Sequence, residues 1–217
     1  MLLQRCTKKV PLIALVLAML VFAGCGGSTA VKRSSGPEQA DRTAGDELAP
    51  AVPPVAQTLF EQATATMAAG DFVDAELRFK EFLLQYPQYP GAHVNLAIIH
   101  SSNGNDDAAR AAVDAALALQ PNHPAALNQL GMLLRRNGKF LEAEAAYLKA
   151  VTVSPEYALA HYNLGVLNEL YLQRLEAALQ NFKTYQSLVG EDKQVAKWIQ
   201  DLTRRVAANQ RTANVAD

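Results

Sequence analysis

The chain has 217 residues, half of them hydrophobic, with 12 glycines and 10 prolines, enough for one domain with a substantial buried core plus extensions. Its formal net charge is −1, which excludes the strongly basic footprint of a nucleic-acid-binding domain. Only two cysteines are present, Cys6 and Cys25.

The first 24 residues have the layout of an export signal. Arg5, Lys8 and Lys9 form a positive n-region, and "VPLIALVLAMLVFA" forms the apolar h-region. That run is shorter than the roughly 20 residues that carry a helix across a bilayer. It ends in Phe22-Ala23-Gly24-Cys25 and then passes into Gly26, Gly27 and Ser28. Two readings of Cys25 are open: a redox partner for Cys6, or a covalent attachment point from which everything earlier is removed. The segment resembles the bacterial lipobox, with Phe at a first position where Leu is commoner. That resemblance implies cleavage before Cys25 and triacylation of the new N-terminus, which would anchor the chain essentially permanently. Gly26 stands where an Asp would direct inner-membrane retention in many Gram-negative bacteria, so the implied address is the periplasmic face of the outer membrane. The alternatives are an uncleaved signal anchor or ordinary cleavage near Ala23. Cleavage at Cys25 takes Cys6 away, leaves no free thiol for a disulfide or metal site, and shifts the net charge from −1 to −4.

Residues 25–54 follow as a tether. "GGSTAVKRSSGPEQADRTAGDELAPAVPP" carries almost no large aliphatic or aromatic side chains, so it cannot bury enough apolar surface to offset its ordering entropy. A flexible chain of about 30 residues has a typical end-to-end distance near 30 Å.

After the tether the chain repeats itself. "GDFVDAELRFKEFLLQYP", "GNDDAARAAVDAALALQP" and "GKFLEAEAAYLKAVTVSP" align with Gly70, Gly104 and Gly138 in register. Ala75, Ala109 and Ala143 match as well, as do Pro87, Pro121 and Pro155. Upstream, Leu96-Ala97, Leu130-Gly131 and Leu164-Gly165 share one phase. Small residues at these positions let helices approach closely. Phe79 and Tyr147, one turn after their alanines, fill the remaining space, with the smaller Val113 in the second unit. Each glycine ends a first helix and each proline a second.

This pattern resembles the tetratricopeptide repeat, a helix-turn-helix unit. The resemblance implies an all-α fold: a right-handed α-solenoid over 55–191, of about four units at 56–89, 90–123, 124–157 and 158–191. The fourth unit departs from the pattern. Leu172 stands at the turn-glycine phase, Phe182 follows Ala178 by four, and Gly190 replaces the terminal proline, as though one residue were inserted near the turn. Val195, Trp198, Ile199, Leu202 and Val206 then have amphipathic spacing. They predict a capping helix over 192–209 that covers the last apolar face, followed by a disordered tail over 210–217.

No phosphate loop, zinc-ligand spacing or nucleophile elbow is present, so the expectation is a non-enzymatic protein without cofactor or metal. His93 and His100 are too far apart along a helix to share an ion, at about 10.5 Å. His93 and His161 share a repeat phase at which bulky residues pack, and His123 falls in an inter-repeat turn. In the family the concave face is lined mainly by the first helix of each unit. The matching phases supply an apolar floor of Phe60, Val94, Ile98, Met132, Tyr162 and Val166, with Arg135, Arg136 and Glu169 toward one edge. An apolar groove with a polar rim suits an amphipathic helix or extended segment of a protein partner, although such residues also pack against the next repeat. Chaperone-binding members clamp a terminal carboxylate with Lys and Asn. Here Asn95 holds one such phase, but Phe60, Thr64, Ala125 and Gln129 hold others, so that clamp is absent.

The resemblance extends to lipid-anchored outer-membrane repeat proteins similar to the pilotins of type IV pili and secretins. It implies a scaffold that assists assembly of an envelope complex. An adaptor that organises peptidoglycan enzymes is an alternative, and a carrier of apolar ligands in the same groove is another.

Overall fold

A computed structural model describes residues 53–216. The expected export signal, the expected lipidation at Cys25 and the expected tether up to residue 52 lie outside the described residues. Pro54, the last residue assigned to the tether, is instead the first residue of a helix, where its fixed φ and missing N–H are tolerated.

The described residues form helices without strands: α1 Pro54–Ala68, α2 Phe72–Gln85, α3 Pro90–Ser102, α4 Asp106–Leu119, α5 Pro124–Arg136, α6 Phe140–Val153, α7 Ala158–Leu170, α8 Leu175–Val189 and α9 Lys193–Ala216. Start signals are local. Prolines open α1, α3 and α5. Asp71 and Asn105 cap α2 and α4 by accepting the backbone N–H of Asp74 and Ala108. His123 caps α5, its Nδ1 accepting from Ala126 N at 3.3 Å.

The turn inside each hairpin requires a left-handed residue. Gly70, Gly104 and Gly138 supply it with φ of 85°, 73° and 74°. In the fourth hairpin the left-handed residue is Gln173, φ 56°, one position after the Leu172 phase. The inserted residue therefore displaces the turn and leaves a side chain where the other hairpins have none.

Each helix packs on its hairpin partner, and the second helix of one hairpin packs on the first of the next. The first helices also touch one another: α3 meets α5 and α5 meets α7. Among the described residues, α2, α4, α6 and α8 make no comparable contacts with each other. The first helices thus form the inner layer and the second helices fan out on the outside.

The core alternates small and large partners. Ala63, Ala97 and Val113 are fully buried, as are Phe79, Tyr147 and Phe182. A Cβ on Gly131 would lie 2.5 Å from the Tyr147 ring, and one on Gly165 would lie 2.6 Å from the Phe182 ring. Glycine there lets each aromatic ring rest directly on the inner helix. Burial of one such ring contributes on the order of 1.5–3 kcal/mol.

At the C-terminal end, Val195 and Leu202 of α9 are buried with Phe182, while Trp198 packs between Tyr162 and Phe182, ring centroids 6.0 and 5.4 Å apart. The helix does not stop at 209. Residues 210–216 continue it, because no Gly or Pro follows Gly190 to end it. This corrects the expected disordered tail.

α9 also behaves as the inner helix of a fifth, incomplete hairpin. Arg136, at the end of α5, donates to the Ser101 carbonyl at 3.1 Å. Arg205 of α9 reaches back in the same way to Glu169, at 2.8 Å.

Candidate protein-docking surface

The residues expected to floor a groove are treated unequally by the inner layer. Phe60 is half-buried, held edge-on by Phe79 and Phe82 with centroids 5.8 Å from each. Its ring lies 3.4 Å from where a Cβ of Gly91 would stand. Val94 is only 4 % exposed, sealed with Ala116 and Ala126 in the contact between adjacent hairpins. It is therefore core, a correction to its assignment as groove floor.

The next three residues touch α9 and stay partly exposed. Tyr162 lies among Phe182, Tyr185 and Trp198, and Val166 joins the same cluster. Glu169 is ion-paired to Arg205. Over the fourth hairpin the inner surface is therefore partly covered by α9, since a solenoid's terminal apolar face has to be covered. Arg136 is likewise used internally: beyond Ser101 it pairs with Asp106 at 2.7 Å.

Ile98 on α3, Met132 on α5 and Val166 on α7 stand at the same register on neighbouring inner helices, all partly buried. Leu159 lies at the start of α7, 53 % exposed. Below them runs a polar seam that the sequence reading missed. Asn163 Nδ2 donates to Asn128 Oδ1 at 2.9 Å across α5 and α7, both side chains buried. Asn128 Nδ2 faces the Met132 sulfur at 3.9 Å. The two asparagines are 35 residues apart, one more than the repeat, a spacing that places them on facing sides of adjacent inner helices. A buried bond of this kind fixes the relative register of two helices, because any slip strands two amides without partners.

Arg135 closes one end. Its guanidinium lies 5.8 Å from the centroid of the Tyr171 ring, and that ring stacks on Phe140 at 4.6 Å. It also lies beside the hydroxyl of fully buried Tyr147, whose pKa is raised by burial against the opposing effect of the arginine.

The histidines serve the scaffold. His161 Nε2 lies 2.9 Å from the Pro155 carbonyl, and His93 turns toward the corresponding Pro87 carbonyl, its pKa lowered by burial. Among the described residues no group of three or more His, Cys, Asp or Glu could hold a metal ion. No described helix is long and apolar enough to cross a membrane.

The outer layer carries one further feature. A recess of about 480 Å³ opens between the second and third hairpins, lined by Leu117, Leu127, Leu130 and Leu134 with Glu142 and Lys149 at its rim. The corresponding positions in the flanking hairpins are His93, Leu96 and His100, and His161, Leu164 and Asn168. Its apolar character is thus legible in the aligned repeats once the outer surface is considered.

A stack of helical hairpins with small-to-large interlocking and a shared inner layer defines an α-solenoid. Two tetratricopeptide-repeat family models match, at residues 66–132 and 128–192, together well over half of the chain. The chain belongs to the tetratricopeptide-repeat family.

Several solved structures share the fold. PilF of Pseudomonas aeruginosa is 22 % identical with a TM-score of 0.63, over 70 % of this chain and 69 % of that one. MamA of Desulfovibrio magneticus RS-1 is 20 % identical with a TM-score of 0.56, over 76 % and 92 %. The first repeat domain of Spaghetti (RPAP3), bound to the HSP90 peptide SRMEEVD, is 19 % identical with a TM-score of 0.51, over 55 % and 97 %. A comparison with curated proteins gives no match. At these identities the likeness is one of fold.

Proposed function

We propose that the chain is a non-enzymatic, lipid-anchored scaffold at the periplasmic face of the outer membrane. It holds a protein partner on its inner layer and assists assembly of an envelope complex such as a type IV pilus or secretin. The observation that carries the binding role is a row of partly exposed apolar side chains along that layer. Ile98, Met132 and Val166 share one phase on α3, α5 and α7, and each keeps part of its side chain exposed on the inner layer. An amphipathic helix or extended segment on Ile98 and Met132 would continue the packing that α9 makes on the fourth hairpin. The lipid anchor is supported by the lipobox-like run ending at Cys25. The pilus or secretin role rests on the likeness in size and four-hairpin architecture to such lipoproteins; PilF shares the fold.

The test is in-cell crosslinking of the intact chain and of the Ile98→Asp, Met132→Asp double variant, followed by identification of what is attached. One stoichiometric envelope polypeptide is expected, and the double variant loses it while keeping its helical melting curve. Unchanged crosslinking in the variant removes the binding role from this face. Acyl chains retained by delipidated protein, with no stoichiometric polypeptide, point to a carrier instead. A mature chain with an unmodified Cys25 by mass spectrometry overturns the anchor.

A further inference from the structure

The outer layer carries an apolar stripe that the solenoid itself does not use. Val73, Leu77 and Leu84 lie along one side of α2 at helical spacing, and they are 83 %, 55 % and 85 % exposed. Val73 and Leu84 are the two most exposed large aliphatic side chains among the described residues. α2 belongs to the first hairpin, and among the described residues no other outer helix makes a comparable contact with it. Single exposed leucines are ordinary, whereas three aliphatic side chains on one helix face form a patch.

The recess of about 480 Å³ lined from α4, α5 and α6 matches that stripe. Leu127, Leu130 and Leu134 line it from α5, and the small Ala145 and Ala146 leave it open on the α6 side. Leu127 and Leu134 are separated by the same number of residues as Leu77 and Leu84, a rise of about 10.5 Å in each case. The charges beside the two features are ordered as well. On α6, Glu142 precedes Lys149, both at the rim of the recess. On α2, Glu76 precedes Lys80 along one flank of the stripe. Laid antiparallel to α6, the stripe brings Glu76 to Lys149 and Lys80 toward Glu142, whereas the parallel arrangement sets like charges together. The present partners give way cheaply. Glu76 and Lys80 form an i,i+4 pair whose lysine is 58 % exposed, and Lys149 keeps two N–H donors beyond the one given to the Pro121 carbonyl.

We propose that α2 of one copy of the chain docks, antiparallel to α6, in the outer recess of a second copy. A helix laid apolar side down in an apolar groove is a general mode of helix recognition. Stripe and recess are different sites on one chain, so the contact is heterologous. The residues that precede Pro53 offer no rival helix: Val31, Leu48 and Val52 are the only large aliphatic residues of 26–52. The contact uses neither Ile98 nor Met132 and stands apart from the inner-layer docking proposed above.

Sedimentation equilibrium of the full chain in density-matched micelles tests this. Concentration-dependent self-association is expected, and a monomer at every concentration up to about 1 mM overturns the proposal. Leu77→Asp with Leu84→Asp removes the stripe, and Ala145→Glu puts a charged side chain at the recess. All three positions are exposed, so both variants keep the helical melting curve. Each variant alone associates at least about tenfold more weakly. An equimolar mixture of the two recovers association, because one keeps the stripe and the other keeps the recess. Unchanged association of the Ala145→Glu chain, or no recovery in the mixture, overturns the proposal. Glu76→Lys and Lys149→Glu each weaken association, and the two together in one chain restore it only if residues 76 and 149 meet. Failure of that restoration overturns the antiparallel seating. Ile98→Asp with Met132→Asp leaves self-association unchanged, so this contact and the inner-layer reading fail separately.

Discussion

Gly131 on α5 and Tyr147 on α6 fit only as a pair: a methyl group on the glycine would come within 2.5 Å of the ring. The corresponding pair one hairpin earlier is Ala97 with Val113, both fully buried. The first hairpin accommodates Ala63 together with Phe79, both fully buried, so the trade between the two facing residues is set hairpin by hairpin. Gly131→Ala is expected to destabilise the chain by about 1–3 kcal/mol, the usual cost of overpacking. Tyr147→Val alone leaves a cavity and costs about 3–5 kcal/mol. The double variant recreates the Ala97–Val113 combination and should cost at least about 1 kcal/mol less than the sum of the two. Urea unfolding of all four chains measures that coupling, and strict additivity would show that the two residues do not share one space.

Gln173 holds a left-handed backbone with φ 56°, where the other three hairpins use glycine. A side chain in that region costs about 1–2 kcal/mol, partly offset by the lower unfolded-state entropy of a non-glycine residue. Gln173→Gly should therefore stabilise the solenoid by up to about 1 kcal/mol. Thermal unfolding reads this as a rise of a few degrees. A fall in the melting temperature would mean that the Gln173 side chain makes a contact worth more than the strain.

Acid should loosen the inter-hairpin turns. Burial lowers the pKa of His123 and of His93 below the ordinary value of 6.5. Between each folded pKa and 6.5 the unfolded chain binds more protons than the folded one, so stability rises with pH across that interval. The contribution is complete above about pH 6.5 and is lost as pH falls through the folded values. For His123 the loss has a structural face, since a protonated Nδ1 cannot accept from Ala126 N. His123→Asn, which caps without titrating, should flatten the decline. Melting temperatures from pH 8 to pH 5 for the two chains test this, and parallel curves would exclude His123 as a source.

α9 divides into a part that caps and a part that overhangs. Leu202 is 0 % exposed and Val206 8 %, while residues 208–212 are exposed. Ending the chain after residue 209 should change stability by less than about 1 kcal/mol, as expected for loss of exposed residues. Ending it after residue 192 uncovers Tyr162, Val166 and Phe182 together and should give an aggregating, poorly folded product. Leu202→Ala in the full chain should cost about 2–5 kcal/mol. Light scattering and circular dichroism of the two truncations separate the outcomes.

Much of the hairpin arrangement is local and was readable along the chain. The phase of Gly70, Gly104 and Gly138 marks each turn because a left-handed residue is needed there whatever surrounds it. Polar N-caps and N1 prolines mark helix starts for the same reason. The Leu172 phase pointed to an insertion, but the residue carrying the strain proved to be Gln173, since only the folded turn fixes which of the adjacent residues crosses into positive φ. The end of α9 was misplaced because amphipathic spacing stops where burial stops, whereas a helix persists until a breaker ends it.

The candidate surface was less legible. Val94 and Ile98 lie four residues apart on one helix and read alike in sequence, yet Val94 is sealed against Ala116 and Ala126 while Ile98 reaches the surface. Tyr162 and Val166 carry the same phases as apolar residues elsewhere, and they pack beside Trp198 and Leu202 because α9 happens to follow them. The sequence by itself determined the period, the hairpins and the interlocking of small with large, since those depend on backbone conformation and volume at fixed spacing. Tertiary structure alone decided which inner-layer side chains are sealed, as Val94 is, and which distant groups pair, as Arg205 and Glu169 do. Exposure and pairing depend on neighbours 30 or more residues away, and one additional stacked helix can cancel either.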